Sequence, residues 1–217
     1  MKKIIWMSWL QGLDDPSIPK LNLECIHRWR SLNKDWDFKF ITYKNVLDYV
    51  PNFFHILDKC PSRIKAHQTD LLRLILLEKF GGIWCDASLY PTEPLSNFID
   101  DVVNHTDFFT YRWMPRSIDP IRGNRDTVVW FLAARHPNHY LISEWRKRFF
   151  EKFSSDKEFK YFTMAESLCE LYDSDDKIKH IINNMIQQNA EIPHTAQSSW
   201  AQREPSYMYK RPSFKND

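Results

Sequence analysis

The chain reads as an α/β fold whose mainly parallel central sheet is flanked by helices. Three observations predict it. Apolar, β-rich segments alternate with segments of helical spacing over the first hundred residues, in the order βαβαβ. The strongest helix, Ser62–Lys79, is apolar on nearly every side, as expected of a helix enclosed by other layers. That helix runs into Gly81–Gly82 and a short apolar strand, Ile83–Cys85, which ends on Asp86. Ligands of such sheets bind beyond the carboxyl ends of the strands. Trp6–Gly12 and Asp86–Ser88 fall on that edge.

The elements follow in order. Lys3–Leu10 is β-rich and predicts the first strand. Met1-Lys2-Lys3 before Ile4–Leu10 has the look of a signal peptide, but Ser8 breaks the apolar run and no small-residue cleavage site follows. Gln11–Pro19 is a loop with Asp14, Asp15 and two prolines. Leu21–Ser31 repeats its apolar residues at helical spacing. Asp37–Thr42 alternates as a second strand. Asn45–Leu57 predicts one or two short helices, interrupted at Pro51. Pro91 and Pro94 keep the stretch after Asp86 out of a sheet interior, and Asp107–Arg112 is a fourth strand. Asp126 is placed to cap a helix over Thr127–Arg135. Pro137 opens another, to about Phe153. Weaker helices are expected near Phe162–Tyr172 and Lys177–Gln188, before a proline-punctuated aromatic tail.

The 217 residues suit a single domain, 1–217, with 1–100 as its binding half and 101–217 as the second side with C-terminal helices and tail. The end at Lys215-Asn216-Asp217 has no clear terminal element, which leaves open an excision from a larger protein. Hydrophobic residues at 43% exclude a disordered chain, and a net charge of +2 argues against nucleic acid as a partner. No run approaches the ~18 apolar residues of a membrane span, so membrane contact is expected to be peripheral at most. The basic aromatic run Trp145–Phe150 reads first as a solvated helix face with its apolar residues turned inward; contact with anionic lipid or a glycan acceptor is the alternative. Cys25, Cys60, Cys85 and Cys169 lack C-x-x-C spacing and read as reduced thiols, pointing to a cytoplasmic setting. Only four glycines occur, so each is expected to serve a backbone need.

Two groups carry the chemistry. Asp70 and Arg73 stand three apart and share one helix face. One reading of the pair is an intrahelical salt bridge, although its neighbours are apolar and burying two charges merely to pair them often gains little. A polyhydroxylated or phosphorylated ligand would use both, the carboxylate accepting from hydroxyls and the guanidinium donating to oxygens. Asp86-Ala87-Ser88 has the position of a D-x-D motif without its second acid. A carboxylate there suits a divalent cation or a ribose hydroxyl.

Taken together, Ile4-Ile5-Trp6 with Gln11-Gly12, Cys25-Ile26-x-x-Trp29, Asn33 and Asp35, Asp70-Leu71-Leu72-Arg73, Gly81-Gly82-Ile83-Trp84-x-Asp86-Ala87 and Pro94-Leu95 resemble the capsular-polysaccharide-synthesis glycosyltransferases, relatives of glycosyltransferase family 32, the D-x-D sugar-binding group. The resemblance covers roughly residues 3–98. Further on, only Trp130–Pro137 and Ile192-Pro193-His194 look similar.

The resemblance implies a GT-A (Rossmann-like) nucleotide-sugar fold and sugar transfer from a nucleoside-diphosphate donor, most simply a UDP-sugar, to a glycan or glycolipid acceptor. It also implies Mn²⁺ or Mg²⁺ and retention of anomeric configuration. By it, Trp6 lies against the base, and Gln11, Asp70, Arg73, Asp86, Ala87 and Ser88 contact the donor. Asp86 and Arg73 are the catalytic pair, and Asp86, Ser88 and His194 hold the metal. Ser88 stands where many relatives carry a ligating Asp, which predicts weaker metal affinity. Lys210 or Arg211 would add positive charge at the diphosphate. No nucleophile stands out, and an inverting reaction would draw its base from Asp119 or Asp126. The alternative is a non-catalytic sugar-nucleotide-binding module of a larger glycan-synthesis protein.

Overall fold

The computed structural model describes residues 1–60, 64–112, 127–155 and 160–187, and the backbone of 208–210. Five strands form the main sheet: β1 (Ile4–Ser8), β2 (Asp37–Ile41), β3 (Gly82–Cys85), β5 (Phe108–Phe109) and β6 (Phe131–Ala134). Their order is β2-β1-β3-β6-β5. β1 pairs in parallel with both β2 and β3, while β6 runs antiparallel to β3 and to β5. The sheet is therefore mixed and mostly parallel, flanked by helices on both faces, which is the α/β class expected from the sequence.

Side-chain alternation along the strands builds two cores, one on each face of the sheet. Trp6, Trp84, Leu132 and Ala134 face α4 (Lys65–Phe80), α6 (Tyr140–Ser155), α7 (Thr163–Ser174) and α8 (Asp176–Asn184). Ile5, Met7, Ile83, Cys85, Phe131 and Ala133 face the other way, toward α1 (Lys20–Leu32) and α5 (Ile99–Val103). The expected break at Pro51 separates α2 (Val46–Tyr49) from α3 (Phe53–Asp58). The stretch after Asp86 stays out of the main sheet: β4 (Leu89–Pro91) pairs antiparallel with β7 (Met208–Lys210) as a separate two-stranded sheet.

One element differs in kind. The helix expected over Thr127–Arg135 is instead the inner strand β6, between β3 and β5. Val128–Ala134 is a short, continuous apolar run, and every residue of β6 is fully buried. Such a run satisfies helix and strand periodicity equally well. Its place between two other strands, with both faces covered, decides the matter. Asp126, the expected cap, lies outside the described residues, as do Asp119 and Gly123.

The turn from α4 to β3 depends on two glycines. Gly81 and Gly82 have φ of +69° and +92°. A Cβ on Gly81 would sit 2.9 Å from the His136 carbonyl carbon, and one on Gly82 would sit 2.7 Å from the Ile4 carbonyl oxygen. Neither backbone can yield cheaply, so both positions require glycine. This tight reversal sets α4 alongside β3. Strand advances about 3.3 Å per residue and helix about 1.5 Å. Five residues forward to Asp86 and eleven back to Asp70 therefore reach a similar height.

Candidate active site

Three charged side chains from α4 and the end of β3 converge as that geometry requires. Arg73 Nη2 donates to Asp86 Oδ1 at 3.0 Å and lies 3.1 Å from Asp70 Oδ1. Arg73 Nη1 donates to the Val129 carbonyl, in the segment leading into β6. The guanidinium also lies over the Trp84 ring, 5.1 Å from its centroid. Only 5% of the Arg73 side chain is exposed, against 13% for Asp70 and 21% for Asp86. The arginine thus sits behind the two carboxylates and fixes them, and the carboxylates form the solvent-reaching surface. Two acids on one buried cation leave a formal charge of −1.

Asp86 is held from several directions. Its Oδ1 also accepts from Trp84 Nε1 at 3.0 Å. Its backbone N–H donates to the Trp130 carbonyl at 2.9 Å, and its own carbonyl accepts from Leu89 N–H at 2.9 Å. The last bond closes a turn with Ala87 and Ser88 at its middle. Ala87 is buried and Ser88 half-buried. The β4–β7 register sets the backbone of Lys210 opposite Leu89, the residue after Ser88, so the late chain returns to this turn. Cys85, the neighbour of Asp86, is fully buried; burial and the Asp86 charge push its thiol pKa well up, so it offers no thiolate.

The other expected residues separate. Gln11 is half-buried in the turn after β1, closed by Gly12 N–H to the Trp9 carbonyl at 2.9 Å. Trp6 does not lie at the edge. It is 1% exposed, donates Nε1–H to the Gly81 carbonyl at 2.9 Å and packs against Tyr49 and Phe80. As the middle residue of β1 it points into the α4 face, so no ring face remains for a base; the resemblance-based expectation of stacking fails on burial. Trp9, half-buried and donating to Asp15 at 3.3 Å, is the indole on the loop beyond β1.

His194 and Arg211 lie outside the described residues. Among those described, no group of three or more His, Cys, Asp and Glu side chains is arranged to hold a metal ion. The basic run on α6 is spoken for: Arg146 pairs with Glu78, Lys147 with Glu144, and Arg148 and Lys152 with Glu170, while Trp145 and Phe149 are buried. Among the described residues, no helix is long and apolar enough to cross a membrane.

Sequence reasoning missed three contributors. Trp84 precedes Asp86 by two, so strand alternation sets it on the same face, a signal that was readable. The Val129 carbonyl is backbone and leaves no trace in the sequence. Tyr161, at the turn before α7, is near enough to feel the charges of Asp86, Asp70 and Arg73; its phenol pKa is raised chiefly by burial and then by the two carboxylates.

One solved structure agrees with this architecture. The solved PaToxG glycosyltransferase matches with a TM-score of 0.53 at 12% identity, over 83% of this chain and 72% of that one. The UDP-bound glycosyltransferase domain of the YGT toxin matches at 0.38 and 9% identity, over 82% and 69%. No curated protein matches. The family model for capsular polysaccharide synthesis proteins spans residues 1–211, and the chain belongs to that family.

Proposed function

We propose that the protein is a glycosyltransferase that moves a sugar from a nucleoside-diphosphate donor, a UDP-sugar, to a glycan or glycolipid acceptor, with retention at the anomeric carbon and with help from Mn²⁺ or Mg²⁺. The observation that carries this reading is the Asp70–Arg73–Asp86 cluster, fixed at the carboxyl edge of a GT-A-type sheet in a chain of the capsule-synthesis family.

In this reading Asp70 and Asp86 accept hydrogen bonds from the donor's hydroxyls. Arg73 is a positioning residue, because its guanidinium is already shared between the two acids and the Val129 carbonyl. Gln11, Ala87 and Ser88 line the approach to the donor. Asp86 and Ser88 would hold the metal, with His194 carried over from the resemblance as a third ligand. A carboxylate and a hydroxyl suit Mg²⁺ or Mn²⁺, hard ions that complete their shell with diphosphate and water. So small a protein donor set fits an ion that arrives with its nucleotide. Once bound, the ion would neutralise charge on the departing diphosphate. Lys210 is the proposed second cation near that group.

Calorimetry with a panel of UDP-sugars, with and without Mn²⁺, tests the reading on the wild type and on Asp86→Asn. One UDP-sugar is expected to bind, more tightly with metal, and to lose at least tenfold in the variant. Failure of UDP-, GDP-, dTDP- and CMP-sugars alike to bind would overturn it. Binding without transfer to any acceptor would leave a sugar-nucleotide module in place of an enzyme. The anomeric configuration of the product, read by NMR, tests retention.

A further inference from the structure

The three clustered side chains are exposed in the opposite order to what an anionic ligand needs. Arg73, the cation, is 5% exposed, while Asp70 and Asp86 are 13% and 21% exposed. The donors of Arg73 are also committed. Its Nη2 is shared between Asp86 Oδ1 at 3.0 Å and Asp70 Oδ1 at 3.1 Å. Its Nη1 donates to the Val129 carbonyl. Its Nε is buried, with no partner among the described residues. A carboxylate is recognised best by the open fork of an arginine, two parallel N–H groups turned toward the ligand. Here the protein's own oxygens close that fork. The surface offered to a ligand is carboxylate oxygen. Hydroxyls suit it, because each can donate to an acid. A ligand carboxylate has no proton to give at neutral pH and brings a like charge. A pyranose ring is small against the screening length of about 8 Å at physiological salt. A uronate seated with its hydroxyls on Asp70 and Asp86 would therefore hold its own charge within reach of theirs.

Building on the glycosyltransferase reading above, we propose that Asp70 and Asp86 select an uncharged donor sugar, a neutral hexose or N-acetylhexosamine, and reject uronic acids. The rejection is electrostatic: the wrong sugar is penalised by an unpaired like charge. Arg73 does not relieve that penalty, because it acts on the ligand only through the two acids it holds.

Calorimetry with matched pairs of nucleotide sugars, in the presence of Mn²⁺, tests this. The pairs are UDP-glucose with UDP-glucuronic acid, UDP-galactose with UDP-galacturonic acid, and GDP-mannose with GDP-mannuronic acid. Within a pair the nucleotide, diphosphate and metal are the same, so their contributions cancel in the ratio of affinities. The expected result is a pair whose neutral member binds about tenfold or more tightly than its uronate. Raising the salt from about 0.05 M to about 0.5 M should narrow that gap in the wild type by about twofold or more, because screening weakens repulsion. Asp70→Asn removes one charge and keeps an acceptor oxygen. It should narrow the gap by about threefold or more at low salt. A uronate that binds as tightly as its neutral partner overturns the proposal. So does a gap that salt leaves unchanged, which would be a matter of shape, or one that Asp70→Asn, folded by its thermal melt, leaves unchanged. The salt series uses the wild type alone and decides the matter if the variant does not fold. In each of these failures nucleotide sugars still bind, and the glycosyltransferase reading stands. If no member of any pair binds, that reading falls and this proposal falls with it.

Discussion

Arg73 and Asp86, thirteen residues apart in sequence, meet at 3.0 Å through one nitrogen and one oxygen, and that same nitrogen lies 3.1 Å from Asp70. One guanidinium therefore orients both acids. Asp86→Asn keeps the shape and one acceptor oxygen while removing the charge. Transfer should fall by about a hundredfold or more, with the melting temperature little changed. Arg73→Met leaves two acids facing each other in a partly buried site and should cost about 3–5 kcal/mol of stability. Chemical denaturation beside a transfer assay separates the two effects, and the reverse ranking of stability would refute this division of roles.

Trp6 gives a sharp test of a core role against a ligand role. Trp6→Phe keeps an aromatic ring beside Tyr49 and Phe80 but removes the donor to the Gly81 carbonyl. A loss of about 1–2 kcal/mol in unfolding free energy is expected, since a buried acceptor is left unsatisfied. UDP affinity should not change. A fall in UDP affinity at constant stability would return Trp6 to the base.

Gly82 should tolerate no side chain. Gly82→Ala must hold a φ near +92° and clear the Ile4 carbonyl. A loss of about 1–3 kcal/mol is the expected minimum from backbone conformation alone. Gly12, at φ +99° with open space around its Cβ position, should lose less on the same substitution. Paired thermal melts decide the order.

His139 sets a pH dependence. It is buried, stacks on Phe108 with centroids 5.8 Å apart, and its Nε2 lies 3.1 Å from the Thr106 carbonyl. Burial lowers its pKa in the folded protein. The unfolded chain, with an imidazole pKa of about 6.5, then binds a proton that the folded chain refuses. Stability from this group is whole above that value and falls as pH drops below it, until the folded imidazole also protonates. Denaturation midpoints measured from pH 7.5 to 5 should decline more steeply for the wild type than for His139→Gln.

Much of this was legible in the chain. The D-x-x-R spacing, the paired glycines and the strand-end acid anticipated the α4–β3 reversal and singled out Asp70, Arg73 and Asp86, while their direct contact with one another is seen only in the structure. What escaped reading depended on partners distant in sequence. Trp6 looked like an edge aromatic because a strand's register against its helices is invisible locally; Tyr49 and Phe80 enclose it. The run Val128–Ala134 was mistaken for a helix because seven apolar residues carry no period, and only its neighbours β3 and β5 make it a strand.

The antiparallel course of β6 has a consequence for how the protein can be divided. Because β6 opposes β3, it enters the sheet at the edge where β3 leaves, and the residues just before it, Val129 and Trp130, bond to Arg73 and Asp86. The cluster is a seam stitched from both halves of the chain. The first hundred residues, transplanted into another protein as a donor-binding cassette, would carry all three charged side chains but not the backbone that steadies them. Swapping sugar specificity between relatives by exchanging halves should therefore fail unless the stretch leading into β6 travels with the acids.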